Sequence, residues 1–474
     1  MKRRDFINRG LLTAFAGTVA SPVLFSGFKS PNRNEFHGKT KNIIFLVSDG
    51  MSIGTATMAD LLLQRKEGRT SQWMDLYRQN KIKRALMDTA SANALVTDSA
   101  AASSAWGGGV RVKNGRLNVG PGGVEYKPIL QKFKGAGKAV GCVTTVPITH
   151  ATPAGFCVNM KHRNMQDKIA SKYLELRFDV MMGGGMEYFD GRKREDKKNI
   201  FGDFKNQGFN VINTKAQMDL VEPGNPTLGV FFDDGLPYTI DQKSDKDLTK
   251  KIPTLAEMTN KALSLLQDNK EGFVLQVEGG KVDWAAHAND AAGLLYDQIA
   301  FDDAVRIAIQ FAESRQDTLV IITTDHGNAN PGLIKHDKVN KMFETLHNIK
   351  HTNEWVLNGI SLNSTPSYVI ERLNYAQGIT ISTDEAKSLL KNYDESIEKN
   401  GLYNAYKLPY RKLAEIQRAY TSVYWAGMNH SADFVELAMY GAGNEALPSF
   451  IKNTELHNYM LAATGIKELV SLIN

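Results

Sequence analysis

Short apolar runs alternate along the chain with longer stretches of helical periodicity. Asn42–Val47 is such a run, closed by Ser48, Asp49 and Gly50. Comparable runs cover Ala139–Thr145, Asp179–Met182, Phe273–Val277 and Thr318–Thr324, and Phe434–Tyr440 supplies another near the end. Each is short, rich in β-branched or aromatic side chains, and stops at polar residues or glycine. Strands covered by helices on both faces read this way, because neither face needs a polar side. The pattern predicts an α/β fold, a three-layer αβα sandwich around a mostly parallel central sheet. Ligands of such sheets gather beyond the carboxyl ends of the strands. Asp49, Glu278 and Asp325 fall there, and Thr152 follows a strand.

Two regions depart from the rhythm. Residues 107–123 are glycine-rich and predict a surface loop or hairpin. Residues 331–425 are charged and largely helical in pattern, with no second run of strands. They predict a helical insertion, a cap or dimer contact, splitting an α/β domain of residues 38–330 and 426–474.

Composition narrows the class. A chain of 474 residues with 42% hydrophobic and 23% charged residues is neither disordered nor a small disulfide scaffold. Lys and Arg number 57 against 51 Asp and Glu, a net +6 with no dense basic block, so nucleic acid is not an expected partner. Part of that charge lies in Lys2-Arg3-Arg4-Asp5-Phe6, ahead of an apolar stretch from Leu11 to about Phe25. Residues 1–27 look like a twin-arginine export signal, with an ordinary secretory signal or a short anchor as alternatives. The stretch is interrupted by Gly17 and Pro22 and is short of the ~20 apolar residues of a membrane span. An exported protein, periplasmic or extracellular, without a stable span after signal removal is the expectation. Cys142 and Cys157 are the two cysteines, spaced for neither a CxxC redox site nor a zinc knuckle, and read as buried free thiols.

The chemistry concentrates in a few stretches. Asp98-Ser99-Ala100 opens an Ala/Ser-rich helical segment that Gly107–Gly109 should end. Ser99 near a helix start can meet an anion at free N–H groups, although alone such a serine is an ordinary cap. Asp283 and His287 stand at i and i+4, one face of a helix, as metal ligands must. Asp325-His326 joins a carboxylate and an imidazole at a strand end, and His430 precedes the last long strand. Such groups at the ends of successive core strands together predict a polynuclear metal site.

This set resembles the alkaline phosphatase family, metal-dependent phosphomonoesterases with a serine nucleophile. The resemblance spans nearly all of residues 40–330 and resumes at about 424–441. Asp98-Ser99-Ala100 is its most specific motif, supported by the Glu278/Asp283/His287 spacing, Asp325-His326, His430, Ala151–Ala154 and Gly183–Gly185. The resemblance implies two Zn²⁺ and one Mg²⁺. Asp283, His287 and His430 would hold one zinc. Asp49, Asp325 and His326 would hold the second, with Ser99 joining as nucleophile. Asp49, Thr152 and Glu278 would hold the magnesium, Arg163 would bind the phosphoryl oxygens, and Asp98, His150 and Trp284 would stand around the site. It also implies small phosphate monoesters as substrates, a covalent phosphoserine intermediate and a homodimer. His150 and Trp284 depart from members with Asp and with Lys or His at these places, which implies weaker Mg²⁺ retention and faster phosphate release. A related phosphodiesterase or phosphomutase would share the scaffold, but a diester lacks the second charge that Arg163 would bind. A sulfatase would need a C/S-x-P-x-R stretch, which is absent. A non-enzymatic metal- or phosphate-binding protein would be expected to have lost a ligand, and none is missing.

Overall fold

The apolar runs become strands of one sheet. In the computed structural model, residues 40–393 and 407–466 are described, with the backbone of 398–399 and 402–403. The signal-like segment 1–27 lies outside the described residues. The sheet contains β1 (Asn42–Val47), β2 (Lys83–Asp88), β3 (Ala139–Pro147), β4 (Val180–Gly184), β5 (Asn210–Ile212), β6 (Thr227–Val230), β7 (Phe273–Glu278), β8 (Thr318–Thr323), β9 (Val435–Gly441) and β10 (Phe450–Lys452). Their spatial order is β10-β2-β9-β8-β1-β7-β3-β4-β6-β5. β9 runs antiparallel to both β8 and β2, and the other pairings are parallel.

Two apolar cores explain the layers. Successive side chains of a strand point to opposite faces. In β1, Ile44 and Leu46 enter one core and Ile43, Phe45 and Val47 the other. Helices α1 (Ile53–Glu67), α2 (Ser99–Gly108), α3 (Ala151–Cys157), α4 (Lys281–His287) and α5 (Ala291–Glu313) divide between the faces. Residues of α1, α4 and α5 build the first core, and residues of α2 and α3 the second. Each fully buried Leu, Ile or Phe contributes about 1.5–3 kcal/mol, so both layers hold the sheet firmly. Among the described residues, no helix is long and apolar enough to cross a membrane.

Some expectations are corrected. β2, β5, β6 and β10 do not stand out as apolar runs. β5 and β10 are three residues each, and β2 mixes exposed and buried positions, so their burial signal is weak. Gly107 and Gly108 do not belong to a surface loop. They continue α2 and are buried, because a Cβ on Gly107 would meet the Gly155 carbonyl of α3 at 1.9 Å. Gly109 ends the helix in the left-handed region, at φ 74°. The segment that follows buries Leu117 and Asn118, whose amide donates to the Gly155 and Val158 carbonyls.

Between Asn330 and Ala426 the chain forms helices at Val339–Phe343, Asn353–Asn358, Pro366–Gln377, Thr383–Leu390 and Tyr410–Thr421. They enclose their own apolar cluster, including Val356, Leu373, Leu389 and Leu413. Pro331–Leu333 and Val423–Trp425 pair antiparallel at the base of this region.

Candidate metal centre

Strand register brings the acidic residues to one level. β8, β1, β7 and β3 are neighbours in that order. Val47 pairs with both Glu278 and Thr323, and Thr144 pairs with Glu278. Asp49 therefore leaves β1 beside Glu278, the last residue of β7, and beside Asp325 and His326, which follow β8. Thr152 comes from the first turn of α3, after β3. β9 runs the other way, so its start, and His430 just before it, lies at the same end. Gly50 makes the turn after Asp49 at φ 68°, and a Cβ there would meet Asp283 Oδ1 at 2.4 Å. Glycine alone satisfies both conditions.

Ligand-type atoms meet in three groups, each within 4.8 Å: Asp283, His287 and His430; Asp49, Asp325 and His326; Asp49, His150 and Glu278. Thr152 adjoins the third, its hydroxyl donating to Asp49 Oδ2 at 3.4 Å. In the first group, His287 Nδ1 meets the Met428 carbonyl at 2.7 Å and His430 Nδ1 meets the Thr97 carbonyl at 2.9 Å. A carbonyl only accepts, so each Nδ1 carries a hydrogen and each Nε2 is the atom left for a proton or a cation; against burial, the Asp283 carboxylate lifts His287 to about 9 in the metal-free chain. Those two Nε2 atoms face each other at 3.1 Å, with Asp283 oxygens at 3.4 and 3.6 Å. Such facing lone pairs repel unless a cation or proton lies between them.

The carboxylates show the same demand. Asp49, Glu278 and Asp325 are fully buried. Asp49 Oδ1, Glu278 Oε1, Asp325 Oδ2 and His326 Nδ1 are buried without a hydrogen-bond partner. Burial, then the charges of Asp325, Asp283 and Glu278, raise the Asp49 carboxyl far above its ordinary range. Burial is the main cause that lifts Asp325 to about 6 and Glu278 to about 8. Burial also pushes on Asp283, but His287 and His430 outweigh it and hold that carboxyl low. Burial and His430 keep His326 well below the usual imidazole range, hence neutral and able to donate a lone pair. Two carboxylates about 4 Å apart repel by about 4 kcal/mol at an effective dielectric of about 20. Oxygen-rich and nitrogen-containing donor sets of this kind suit hard and borderline divalent cations.

Ser99 begins α2, ten residues long and capped by Asp98, whose carboxylate accepts from Ala101 N. Ser99 Oγ lies 3.3 Å from His326 Nε2, and that nitrogen is 3.2 Å from Asp325 Oδ2 and 3.6 Å from Asp49 Oδ1. Arg163 Nη1 pairs with Asp98 Oδ2 at 3.3 Å, and Arg163 Nη2 donates to His150 Nε2 at 2.9 Å. The Trp284 and His150 rings meet nearly perpendicular, at 79°, with ring centres 6.1 Å apart. All the residues singled out from the sequence thus assemble around one centre.

Other contributors were not singled out. The Asn328 amide donates to Asp283 Oδ1 at 2.7 Å, and the Thr144 hydroxyl donates to Glu278. Asn328 sits two residues after His326, and Thr144 lies within the fully buried strand β3, where a polar side chain needs a partner. The carbonyls of Met428 and Thr97, which orient two imidazoles, leave no trace in residue type.

The family model described as alkaline phosphatase matches residues 40–466. Alkaline phosphatase 4 of Bacillus subtilis is 30% identical over 95% of this chain and 95% of its own length. Alkaline phosphatase 3 of the same organism is 30% identical over 90% of this chain and 89% of its own. The crystal structure of Thermus thermophilus alkaline phosphatase superimposes with a TM-score of 0.84 at 30% identity, covering 91% of this chain and 93% of that one. With its parallel sheet, its aligned strand ends and its serine beside a buried carboxylate-imidazole cluster, this chain belongs to the alkaline phosphatase family of enzymes.

Proposed function

We propose that the protein hydrolyses phosphate monoesters to an alcohol and inorganic phosphate through a phosphoserine at Ser99. The observation that carries this reading is the placement of Ser99 Oγ against His326, whose Nε2 also lies beside Asp49 and Asp325, with Arg163 held by Asp98, the residue before Ser99. The buried, unpartnered oxygens and facing imidazole lone pairs fit divalent cations. Asp283, His287 and His430 would hold one zinc; Asp49, Asp325 and His326, with Ser99, the second; Asp49, Thr152 and Glu278 one magnesium. When bound, these ions supply positive charge where the attacking and leaving oxygens become negative.

The chain's own groups do the rest. Ser99 Oγ forms a bond to phosphorus while the ester P–O bond breaks and the alcohol departs with a proton. Water then breaks the Oγ–P bond and restores the serine hydroxyl. Arg163 has five N–H donors; Asp98 and His150 engage one each, which leaves three, enough to meet two non-bridging oxygens. The second negative charge of a monoester dianion, which a diester lacks, favours the monoester at this guanidinium.

The N-terminal Arg3-Arg4 segment supports export by the twin-arginine route, to the periplasm or beyond. Residues 331–425 are read as a cap or dimer contact, and the assembly as a homodimer. The deciding experiment compares p-nitrophenyl phosphate with bis-p-nitrophenyl phosphate, and wild type with Ser99→Ala. Monoester turnover that vanishes in the variant upholds the proposal. Faster diester turnover, or turnover indifferent to Ser99, defeats it.

A further inference from the structure

Lys281 is the first residue of α4, and it is 4% exposed. A buried ammonium normally sits against a carboxylate. Its charge is felt by the buried Asp297 carboxylate, but among the described residues no carboxylate oxygen lies within salt-bridge distance of its Nζ. Instead its Nζ lies 3.7 Å from the ring centre of Tyr238 and 4.4 Å from that of Trp284. A desolvated cation between two aromatic faces is held by both ring quadrupoles.

Trp284 is fixed on another side as well. A Cβ on Gly235 would come within 3.0 Å of the indole, so the backbone of that loop lies against the ring. The indole meets His150 edge-on, and His150 Nε2 accepts from Arg163. A continuous chain of contacts therefore runs from the Lys281 ammonium, through Trp284 and His150, to the guanidinium.

We propose that Lys281 is a positioning residue for Arg163: its buried cation holds the Trp284 indole, the indole sets the His150 ring, and His150 fixes the guanidinium for the phosphoryl dianion. This rests on the reading of Arg163 as the phosphoryl-binding group. Losing the ammonium leaves the indole held only from the Gly235 side, which loosens its grip on His150, and Arg163 keeps Asp98 as its remaining firm anchor. Ground-state affinity for phosphate then falls while the reaction at Ser99 is little affected.

The test uses the metal-loaded enzyme, p-nitrophenyl phosphate as substrate and inorganic phosphate as competitive inhibitor. Lys281→Met, which keeps the apolar stem, is expected to raise Ki for phosphate and KM about tenfold, with kcat within about threefold. Lys281→Arg, which keeps the cation, is expected to stay within about twofold of wild type. In a Trp284→Phe background, Lys281→Met should shift Ki by less than about twofold, because the relay is already weakened. An unchanged Ki in Lys281→Met, or the same tenfold shift without Trp284, overturns the inference. Should Lys281→Met not fold, Trp284→Phe alone decides, since an unchanged Ki there overturns it equally. Arg163→Ala separates the two readings. If Arg163→Ala leaves Ki untouched, the site reading itself fails; if it weakens phosphate and the Lys281 and Trp284 variants do not, only this inference falls.

Discussion

Two buried polar regions of this molecule behave oppositely. At the strand ends, Asp49, Glu278, Asp325 and His326 are buried with oxygens and a nitrogen that find no partner. In the helical region, Asn353, Gln377 and Gln417 are equally buried, yet their amides satisfy one another. Asn353 Nδ2 donates to Gln417 Oε1 at 3.0 Å, and Gln417 Nε2 donates to Asn353 Oδ1 at 2.6 Å and Gln377 Oε1 at 2.7 Å. The Asn353 N–H donates to Asp290 Oδ2 at 2.6 Å, which ties this network to the cap of α5. Burial alone does not distinguish a working site from a structural one. The crowding of unsatisfied ionisable atoms does: single ones such as Trp106 Nε1 and Asn453 Nδ2 are scattered elsewhere, but Asp49, Glu278, Asp325 and His326 bring theirs to one place, at a cost of about 1–3 kcal/mol for each unpaired group that a bound cation would repay.

The largest expected effect breaks the comparison at its catalytic side. Ser99→Ala should lower kcat for p-nitrophenyl phosphate on the order of 10⁴-fold while circular dichroism and melting temperature stay near wild type. A residual rate within tenfold would remove the distinction between the two regions.

Chelation sharpens it next. In the metal-free chain, Asp325 at about 6 and Glu278 at about 8 bind protons more tightly folded than unfolded. Their contribution to stability is therefore fullest below the unfolded carboxylate range of about 4 and is lost as pH rises through 6 and 8. The melting-temperature gap between metal-loaded and chelator-treated protein should widen by several °C between pH 5 and pH 8.5. A gap that stays constant would mean these carboxylates do not face the ions.

The amide network should respond in the reverse sense. Gln417→Leu leaves Asn353 Nδ2 and Gln377 Oε1 without the partner that Gln417 supplies and should cost about 2–4 kcal/mol in urea denaturation, with kcat within about threefold. A collapse of kcat at full folding would show that this network serves the chemistry. The smallest effect is expected from His150→Asp, which adds a negative oxygen near Asp49, Thr152 and Glu278. It should lower the Mg²⁺ concentration for half-maximal activity by about three- to tenfold, read by magnesium titration.

Legibility followed physical cause. The central strands showed in the sequence because burial on both faces demands unbroken apolar runs. Edge strands β5 and β10 did not, since three residues leave too little pattern. Asp283 and His287 were legible because helical spacing is local, and Asp98-Ser99-Ala100 because its motif is specific. Asn328 and Thr144 were not, since a single amide or hydroxyl in a strand or loop has many uses. The glycines at 107 and 108 misled for the same reason: only the approach of α3 shows that they serve helix packing.

Residue order by itself determined the alternation of strands and helices, the residue types proposed to hold cations and to act as nucleophile, and the family. These follow from local periodicity and short motifs. Only the tertiary structure decided that side chains from positions 49 to 430 share one centre, that carbonyls of Thr97 and Met428 set the imidazoles, and that the Lys281 ammonium lies against the Trp284 ring. Those relations arise from strand order and register, which bring together residues hundreds of positions apart, and no local pattern encodes them.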